Sequence, residues 1–488
     1  LSMPKQLPSL FVQSRWHSEP VRLLTIDAST FLKNQKGYPV LSKSHQGLIA
    51  KMMRLRTAPW IILCGVGPIP GLENIEDPDT NQAPLSGSDY PSLSQAGKKH
   101  HDPTPHLSYI RNLQQRQPPR SAIERFGVGY QDYLQAPLQP LTVNLESITY
   151  EVFEKDPIKY EWYEKAICKA LKDWAAQKKA TSHPDGKVIL AVVGAGRGPL
   201  VTRALKASVD AGVDIDLWAV EKNQNAFVLL QRHNDTIWDG KVNLVQSDMR
   251  SWKGPLVRQE PTTASTSPSE IADPHGSAMC HTHVDIIVSE LLGSFADNEL
   301  SPECLDGVND VINPVHGISI PASYSAHFTP VSAPKLHADV VHQTVSNPAA
   351  PETPYVVMLH AIDFLSTTDT PASGESSSPN NGNRASTPSG SFSTTEFPTP
   401  FVQTAWSFSH PNRHIPPQSP MQSTISNAHN VRQTRLAFPS QNRGVCHGLA
   451  GYFETVLYGD VELSTNPVTM EAKSANMISW FPIYFPLK

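Results

Sequence analysis

The sequence has few cysteines and no long apolar run. Five cysteines are scattered through 488 residues, and none of them forms a Cys-x-x-Cys pair. This pattern argues against a disulfide-stapled secreted domain and fits a reducing compartment. No apolar segment approaches the roughly 20 residues that a membrane helix needs, and the N-terminus lacks the apolar core of a signal peptide. We therefore expect a soluble intracellular protein without a membrane partner.

The chain also lacks an excess of charge of either sign. Forty lysines and arginines stand against 45 aspartates and glutamates, for a net charge of −5. Nucleic-acid binding depends on a basic surface. Because this chain is slightly acidic, no direct nucleic-acid partner is expected. Its length leaves room for two to four domains.

The N-terminal stretch predicts one parallel strand–helix–strand unit. Segments 21–26 and 60–64 are predicted to be strands, the second of them buried. Ser42 caps an amphipathic helix between them. Residues from about 68 to 119 are rich in Pro, Ser, Asp and Gln without apolar periodicity, so they predict a partly disordered linker.

Asp156 and Pro157 predict the start of a helix, as its N-cap and its first-turn proline. This helix would place six apolar residues on one face, namely Tyr160, Tyr163, Ile167, Ala170, Leu171 and Trp174.

Three buried strands in the middle of the chain, 188–193, 217–220 and 242–246, are followed by residues that suit a nucleotide ligand. The carboxyl ends of parallel strands form the ligand-binding edge of an open α/β sheet. The first strand runs into Gly-Ala-Gly-Arg-Gly, and the second ends at Glu221. An acid at that place can accept hydrogen bonds from both hydroxyls of a ribose.

The glycine-rich turn lacks the last glycine of the dinucleotide-binding pattern. Gly194 and Gly196 let the backbone approach a ligand where a side chain would collide. Pro199 stands where that pattern has its final glycine. The turn therefore favours a single-nucleoside ligand such as S-adenosylmethionine over NAD. Asp248, after the third strand, is placed to accept a hydrogen bond from an adenine amino group.

Two glutamates follow a fourth buried strand, 284–288. Glu290 and Glu299 are nine residues apart, so a continuous helix would point them to opposite sides. Gly293 and the Asp-Asn pair at 297–298 favour a folded-back loop instead. Two convergent carboxylates there could share a proton, bind a metal or clamp a cation. The alternative without a site is that one glutamate caps the next helix and the other is solvated.

The pattern changes beyond residue 321 to short alternating strands, as in a β-sandwich or barrel. Two inserts, 260–283 and 367–400, are rich in Ser, Thr and Pro and cannot bury a core. The first contains Cys280, His281 and His283 without a fourth partner nearby, so no metal site is predicted. The strands are expected at 324–329, 355–359, 406–408, 451–457 and 461–463.

Several longer motifs carry a family resemblance. They are Val-Gly-Ala-Gly-Arg-Gly-Pro-Leu, Ala-Val-Glu-Lys-Asn, Ser-Asp-Met-Arg and Ser-Glu-Leu-Leu-Gly-Ser-Phe-Ala-Asp-Asn-Glu-Leu. With them the chain resembles the protein arginine methyltransferases. Tyr-Glu-Val-Phe-Glu-Lys-Asp-Pro, Phe-Ser-His-Pro-Asn and Gly-Tyr-Phe-Glu-Thr-Val-Leu-Tyr narrow the resemblance to the type II branch, which makes symmetric dimethylarginine.

The resemblance implies an α/β protein of three domains. A triosephosphate-isomerase-type (TIM) barrel with its linker would occupy 1–115, a Rossmann-like S-adenosylmethionine-dependent methyltransferase domain 116–320, and a β-sandwich or barrel domain 321–488. Two parallel strands cannot close an eight-stranded barrel, and the chain stops within a predicted strand. We therefore expect an incomplete barrel and a truncated C-terminus. The chain would then be a fragment or an incomplete gene model, or else a degenerate paralogue.

The resemblance also implies a reaction. It is methyl transfer from S-adenosylmethionine to protein arginine, giving mono- and symmetric dimethylarginine on Arg/Gly-rich segments of histones and of RNA-binding or splicing proteins. Cytoplasmic and nuclear localisation, a β-propeller partner and, with a complete barrel, a homo-oligomer are implied too. The alternative is a catalytically inactive fragment or scaffold of the same family, and a dinucleotide-dependent oxidoreductase is a distant third.

The resemblance also assigns site residues, position by position. An arginine guanidinium stays protonated, so Glu290 and Glu299 would clamp it rather than deprotonate it beforehand. Phe153 would shape the pocket for the symmetric product, or simply fill a core, and Trp480 beside Ser479 would stack on the guanidinium. The residues that match the family's cofactor contacts are Tyr150, Lys159, Tyr160, Gly194, Gly196, Glu221, Asp248 and Met249. Of these, Lys159 and Tyr160 would hold the methionine carboxylate. The alternative is that these two are ordinary first-turn helix residues.

Overall fold

A computed structural model describes most of the chain. The described residues are 1–9, 12–13, 15–16, 19–55, 57–66, 102, 104–259, 271–272, 278–368, 399–414, 427–440 and 444–488. The greater part of the predicted linker and of both predicted inserts lies outside them. No helix among the described residues combines the length and the apolar character that crossing a membrane requires.

The N-terminal unit contains the predicted parallel strand pair. Strand β1 (Leu23–Asp27) pairs in parallel with β4 (Trp60–Cys64), and Ser42 caps α1 (Lys43–Arg54) by accepting a hydrogen bond from the His45 amide. The prediction that the second strand is buried is wrong, because Trp60 is 79% exposed. A sheet with one covered face leaves alternate residues of its strands in solvent. Two short strands, β2 (Leu32–Lys33) and β3 (Pro39–Val40), form an antiparallel ribbon.

A helix occupies the end of the segment that was predicted to be a linker. Helix α2 (Pro105–Gln115) packs Tyr109 and Ile110 into the same apolar cluster as Leu48 and Ile49 of α1. The linker prediction is therefore wrong for these residues. Only a few apolar side chains mark the buried face, and the surrounding Gln and Asn residues hide its helical spacing. A short helix, α3 (Ala122–Phe126), follows.

Two helices lead into the central domain. Helix α4 (Ser147–Phe153) is followed by α5 (Pro157–Ala176), which begins as predicted with Asp156 as N-cap and a proline in the first turn. The predicted apolar face of α5 is confirmed in the core. Its members are Tyr160, Tyr163, Ile167, Ala170, Leu171 and Trp174.

The next elements alternate between strand and helix. They are β5 (Val188–Val193), α6 (Pro199–Ala211), β6 (Ile215–Glu221), α7 (Gln224–Thr236) and β7 (Val242–Gln246). Every residue of β5 is buried, and its side chains alternate between two apolar clusters on opposite faces of the sheet. This is the pattern of a strand covered on both faces.

A small antiparallel sheet interrupts the domain where an unstructured insert was predicted. Strand β10 (Ala278–His281) lies between β8 (Leu256–Gln259) and β9 (Ile271–Ala272). The prediction is therefore wrong at 271–272 and 278–281, which form strands within the insert. Backbone pairing gives these short strands their partners without a large core.

The sheet is completed by two further parallel strands. Strand β11 (Ile286–Val288) joins β5, and β12 (Ile318–Ile320) joins β11, so the spatial order is β12-β11-β5-β6-β7. Helix α8 (Ser301–Gly307) lies between them in sequence. The carboxyl ends of β5, β6, β7 and β11 meet at one edge, which brings their following loops together.

In the described part of the C-terminal domain, seven strands form one antiparallel sheet, accompanied by the helices α9 (Pro334–Gln343) and α10 (Met470–Ser474). All five predicted strands are present, although the second pairs over two residues only. Its continuation instead bridges from Met358 to Gln131. The strands are β13 (Ser323–Ser332), β14 (Tyr355–Val356), β15 (Asp363–Phe364), β16 (Gln403–Ser409), β17 (Gly448–Tyr458), β18 (Val461–Ser464) and β19 (Ile483–Pro486).

Candidate active site

One cavity of about 540 Å³ opens at the carboxyl edge of the central sheet. It lies between that edge, the 126–160 region and the loop before β19. Every site residue suggested by the sequence lines it. They are Tyr150, Phe153, Lys159, Tyr160, Gly194, Gly196, Glu221, Asp248, Met249, Glu290, Glu299, Ser479 and Trp480.

The glycine-rich turn lines the cavity with bare backbone. Gly194 and Gly196 have φ angles of +72° and +57°, which glycine adopts without strain. A Cβ atom on Gly194 would lie 3.0 Å from Leu291 Cδ2, and one on Gly196 would lie 3.1 Å from the Tyr150 ring. Glycine is therefore favoured at both positions by the backbone conformation, and a side chain at either would press on its neighbour.

Glu221 is buried at the end of β6 and holds the glycine-rich turn in place. Its Oε2 accepts a hydrogen bond of 2.6 Å from the Gly196 amide, and its Oε1 accepts one of 2.7 Å from the Asn223 amide. Burial raises the pKa of Glu221, although these amides oppose the shift. Each carboxylate oxygen has two lone pairs, so both can still accept a ligand hydroxyl.

Asp248 has a partner that the sequence analysis missed. Its carboxylate accepts hydrogen bonds from Arg250 Nε at 3.0 Å and Arg250 Nη2 at 2.7 Å. The Arg250 contact lowers the pKa of Asp248. Met249 is buried beside it, and so is Cys304, whose thiol pKa burial raises to about 11. Cys304 is therefore a neutral packing residue of the cavity wall at neutral pH.

Lys159 is buried, and its ammonium group faces Glu290. Its Nζ lies 3.2 Å from Glu290 Oε2 and within 5.3 Å of the ring centroids of Phe153, Tyr160 and Trp480. Burial works against the charge, but Glu290 and the Tyr160 hydroxyl outweigh it and raise the pKa of Lys159. The structure thus places this cation among the residues predicted to bind the substrate guanidinium.

The loop between Glu290 and Glu299 doubles back as predicted. Gly293 and Ala296 pair their backbones, and a 3₁₀ turn at Asp297–Glu299 follows. Glu299 does not cap α8, because Leu300 is the N-cap residue and makes no side-chain cap hydrogen bond. The capping alternative is therefore wrong.

The two glutamates interact electrostatically. Burial raises the pKa of Glu299 to about 8, and the Glu290 carboxylate adds to the shift, whereas Lys159 opposes it. Glu290 is only partly exposed, and its Oε1 accepts a hydrogen bond from the Leu292 amide. When both glutamates are ionised, they outweigh the one positive charge of Lys159 at this end of the cavity.

The loop that carries Ser479 and Trp480 is fixed by two contacts. The Asp156 carboxylate, which caps α5 with one oxygen, accepts hydrogen bonds from the Ile478 and Ser479 amides at 3.0 and 2.7 Å with the other. Trp480 has a φ angle of +64°, and its Nε1 donates to the Leu292 carbonyl at 2.8 Å. Sequence analysis found Asp156 as a helix cap but gave no sign of its second contact.

Among the described residues, no group of three or more His, Cys, Asp or Glu side chains is arranged to hold a metal ion. Cys280 and His281 lie on β10, and His281 Nδ1 is hydrogen-bonded with the Gly254 carbonyl. At its glutamate end the cavity presents the carboxylates of Glu290 and Glu299 and the ammonium group of Lys159. The aromatic rings around that ammonium are those of Phe153, Tyr160 and Trp480.

Three family models match the chain in sequence. They are the PRMT5 TIM barrel domain at residues 1–116, PRMT5 arginine-N-methyltransferase at 121–320 and the PRMT5 oligomerisation domain at 323–488. A solved complex of the Trypanosoma brucei PRMT1 enzyme–prozyme with AdoHcy aligns over 70% of this chain and 82% of that chain. It has a TM-score of 0.43 and 14% identity, a likeness too distant to carry an argument.

Curated relatives match over nearly the whole chain. Protein arginine N-methyltransferase skb1 of Schizosaccharomyces pombe is 38% identical over 99% of this chain and 61% of its own length. Protein arginine N-methyltransferase 5 of Xenopus laevis is 38% identical over 99% of this chain and 59% of its own length. The chain thus spans about three fifths of these relatives. The motifs, the family models and the relatives agree that the chain belongs to the protein arginine methyltransferase family, in its type II branch.

Proposed function

We propose that the protein transfers methyl groups from S-adenosylmethionine to arginine side chains of proteins, giving mono- and symmetric dimethylarginine. The observation that carries the proposal is one cavity that is lined both by the residues suited to a nucleoside and by two partly buried glutamates. An inactive scaffold of the family has no need to retain both halves in one space.

The cavity fits S-adenosylmethionine in shape and in chemistry. The bare backbone at Gly194 and Gly196 leaves room that a Cβ would fill. Glu221 has acceptor capacity for the ribose hydroxyls, and Asp248 and Met249 line the part where an adenine would lie. When bound, the cofactor supplies a methyl group on a positively charged sulfur.

The glutamate pair is suited to hold a guanidinium. Arginine offers five N–H donors in a fixed fork, which matches carboxylates in charge and geometry. Glu290 and Glu299 would orient one nitrogen of the guanidinium by charge-assisted hydrogen bonds. The Trp480 ring would stack on the face of the planar guanidinium. Holding the two reactants in the right orientation, with complementary charges around them, would then accelerate methyl transfer.

Each methyl group that the guanidinium gains requires the loss of one proton. Glu299 is suited to accept this proton, because burial and the neighbouring carboxylate raise its pKa to about 8. A carboxyl group poised near neutrality can hold a proton and release it again. Lys159 must leave Glu290 for the clamp to be complete, and a ligand carboxylate near α5 would attract it.

Substrates, partners and localisation form the wider part of the proposal. Arg/Gly-rich segments of histones and of RNA-binding or splicing proteins suit an acidic pocket, and the five free cysteines suit the cytoplasm and nucleus. The match of residues 323–488 to the oligomerisation domain supports self-association. A β-propeller partner rests on the family resemblance alone.

The first prediction concerns the cofactor. The purified protein should bind S-adenosylmethionine and should not bind NADH, because the turn has Pro199 as the first residue of α6 where a dinucleotide site has a glycine. Isothermal titration calorimetry with each ligand measures this directly. Binding of NADH without binding of S-adenosylmethionine would reject the proposed cofactor.

The second prediction concerns the clamp. Glu290→Gln and Glu299→Gln should each lose roughly 3–5 kcal/mol of interaction with the guanidinium, as when one partner of a buried ion pair is removed. Turnover of a Gly-Arg-Gly peptide should fall by on the order of 10² to 10³ or more. Cofactor affinity should stay nearly constant. Near-normal turnover in either variant would contradict the clamp.

The third prediction is a pH dependence. Glu299 must be ionised to hold the guanidinium, and its pKa in the free protein is about 8. Below that pH the carboxyl is protonated, so kcat/KM should rise with pH through this value, while arginine stays charged. Glu299→Gln should remove this limb, and Glu161→Gln, at an exposed position of α5, should keep it. A wild-type profile that is flat between pH 6 and 9 would refute the assignment.

The fourth prediction concerns the product. Phe153 lies within 5.3 Å of the Lys159 ammonium and lines the cavity. Phe153→Met should reshape the pocket and yield asymmetric dimethylarginine beside the symmetric product. Mass spectrometry of the methylated peptide separates the two isomers. Val228→Met, at an exposed site on α7, is the control and should leave the product ratio unchanged. An unchanged ratio in Phe153→Met would assign Phe153 to packing alone.

A further inference from the structure

A segment of the C-terminal domain, residues 427–432, crosses the loop that carries Glu299. It begins with a 3₁₀ turn at Ala428–Asn430 and ends at Arg432. The Arg432 guanidinium pairs with Glu303 through Nη1 at 3.0 Å and Nη2 at 3.2 Å. Its Nε forms an ion pair with Asp297.

These two acids bracket Glu299 in the sequence. Asp297 precedes it by two residues, and Glu303 follows it by four, at the start of α8. One guanidinium therefore spans both sides of the turn. Arg432 also donates from Nη1 to the Asn430 carbonyl at 2.9 Å and lies over the Phe408 ring at 5.1 Å. Its own orientation is thus fixed by the C-terminal domain.

Two further contacts tie the same region to the C-terminal domain. Asp306 of α8 is hydrogen-bonded by His429 Nε2 at 2.7 Å and Asn430 Nδ2 at 2.6 Å. Trp406 Nε1 of β16 donates to Asp297 at 2.8 Å. Arg432 remains the only contact among these that reaches both sides of Glu299.

The turn needs such a restraint. Ala296 and Leu300, on either side of it, have φ angles of +60° and +64°, which non-glycine residues adopt at a cost. Glu299 itself is partly buried and lies near a second carboxylate. Strain and repulsion both favour a movement of Glu299 away from Glu290. The described lining of the cavity includes Glu299 but not Arg432, so Arg432 acts only through the loop.

We propose that Arg432 is a positioning residue, which holds the Glu299 turn in the geometry needed to clamp the substrate guanidinium. The proposal rests on the function proposed above for Glu299. It adds a requirement that the C-terminal domain be docked on α8 for the site to be complete.

The test compares three variants of the purified protein. Arg432→Gln removes the charge and the fork, Arg432→Lys keeps the charge alone, and Arg435→Gln changes an exposed arginine of the same region. Hydrogen exchange of the amides at 293–303, followed by mass spectrometry, reports the loop without any need for activity. Arg432→Gln should accelerate exchange there at least about tenfold, Arg432→Lys less, and Arg435→Gln not at all.

Kinetics then separates positioning from folding. Arg432→Gln should lower kcat on the peptide about 10- to 100-fold, with the dissociation constant of S-adenosylmethionine within about threefold of wild type. Its kcat/KM limb should move from about 8 towards lower pH, because a Glu299 released to solvent has a more ordinary pKa. Arg432→Lys should recover part of the rate, and Arg435→Gln should match wild type.

Two outcomes would overturn the proposal. One is an unchanged exchange rate at 293–303 in Arg432→Gln. The other is a lowered melting temperature with unchanged kcat per folded molecule and an unchanged pH limb, which would make Arg432 structural only. A wild-type protein that methylates no peptide, with exchange still accelerated in Arg432→Gln, would instead refute the proposed function and leave the restraint of the loop standing.

Discussion

Two carboxylates that share one water-poor cavity repel each other, and much of the surrounding structure keeps them there. Glu290 follows the buried strand β11, and Glu299 sits on a strained turn held from outside by Arg432. Interactions between charges strengthen as water is excluded. Burial raises the pKa of Glu299 to about 8, and the Glu290 carboxylate adds to the shift. A cation that enters the cavity relieves the repulsion.

Lys159 relieves the repulsion only in part. Its ammonium contacts Glu290 and lies over three aromatic rings, but the pKa of Glu299 is still about 8. An ammonium is a compact charge, whereas a guanidinium presents a planar fork that can reach two carboxylates at once. A guanidinium would therefore suit the proposed clamp better than the ammonium does. The internal lysine shows where that cation would lie.

Most of the fold and the membership of the site could be predicted from sequence. Buried strands such as β5 show continuous apolar runs, and the residues at their carboxyl ends necessarily meet at one edge. The rule placed Gly194, Glu221 and Glu290 in one cavity, although their separation in sequence is large. Local signals were also sufficient for the cap of α5 at Asp156.

The contacts between domains could not be predicted. Arg432 lies 129 residues beyond Glu303, after a change of fold, and no local pattern links the two. Lys159 was assigned by its motif to the cofactor, yet the direction of a long flexible side chain depends on charges that only the tertiary structure brings near. Helix α2 was missed because its buried face consists of few residues within a polar segment.

The Asp156 carboxylate has a consequence for how the two halves of the cavity are related. One oxygen accepts a hydrogen bond from the first turn of α5, which carries Lys159 and Tyr160. The other accepts one from the Ser479 amide, next to Trp480. Both segments therefore share a single rigid support that is shielded from solvent. A displacement of the start of this helix would therefore be transmitted to the backbone beside Trp480 through Asp156 alone. The segments proposed to hold the methionine end of the cofactor and the planar face of the substrate are thus connected through one carboxylate.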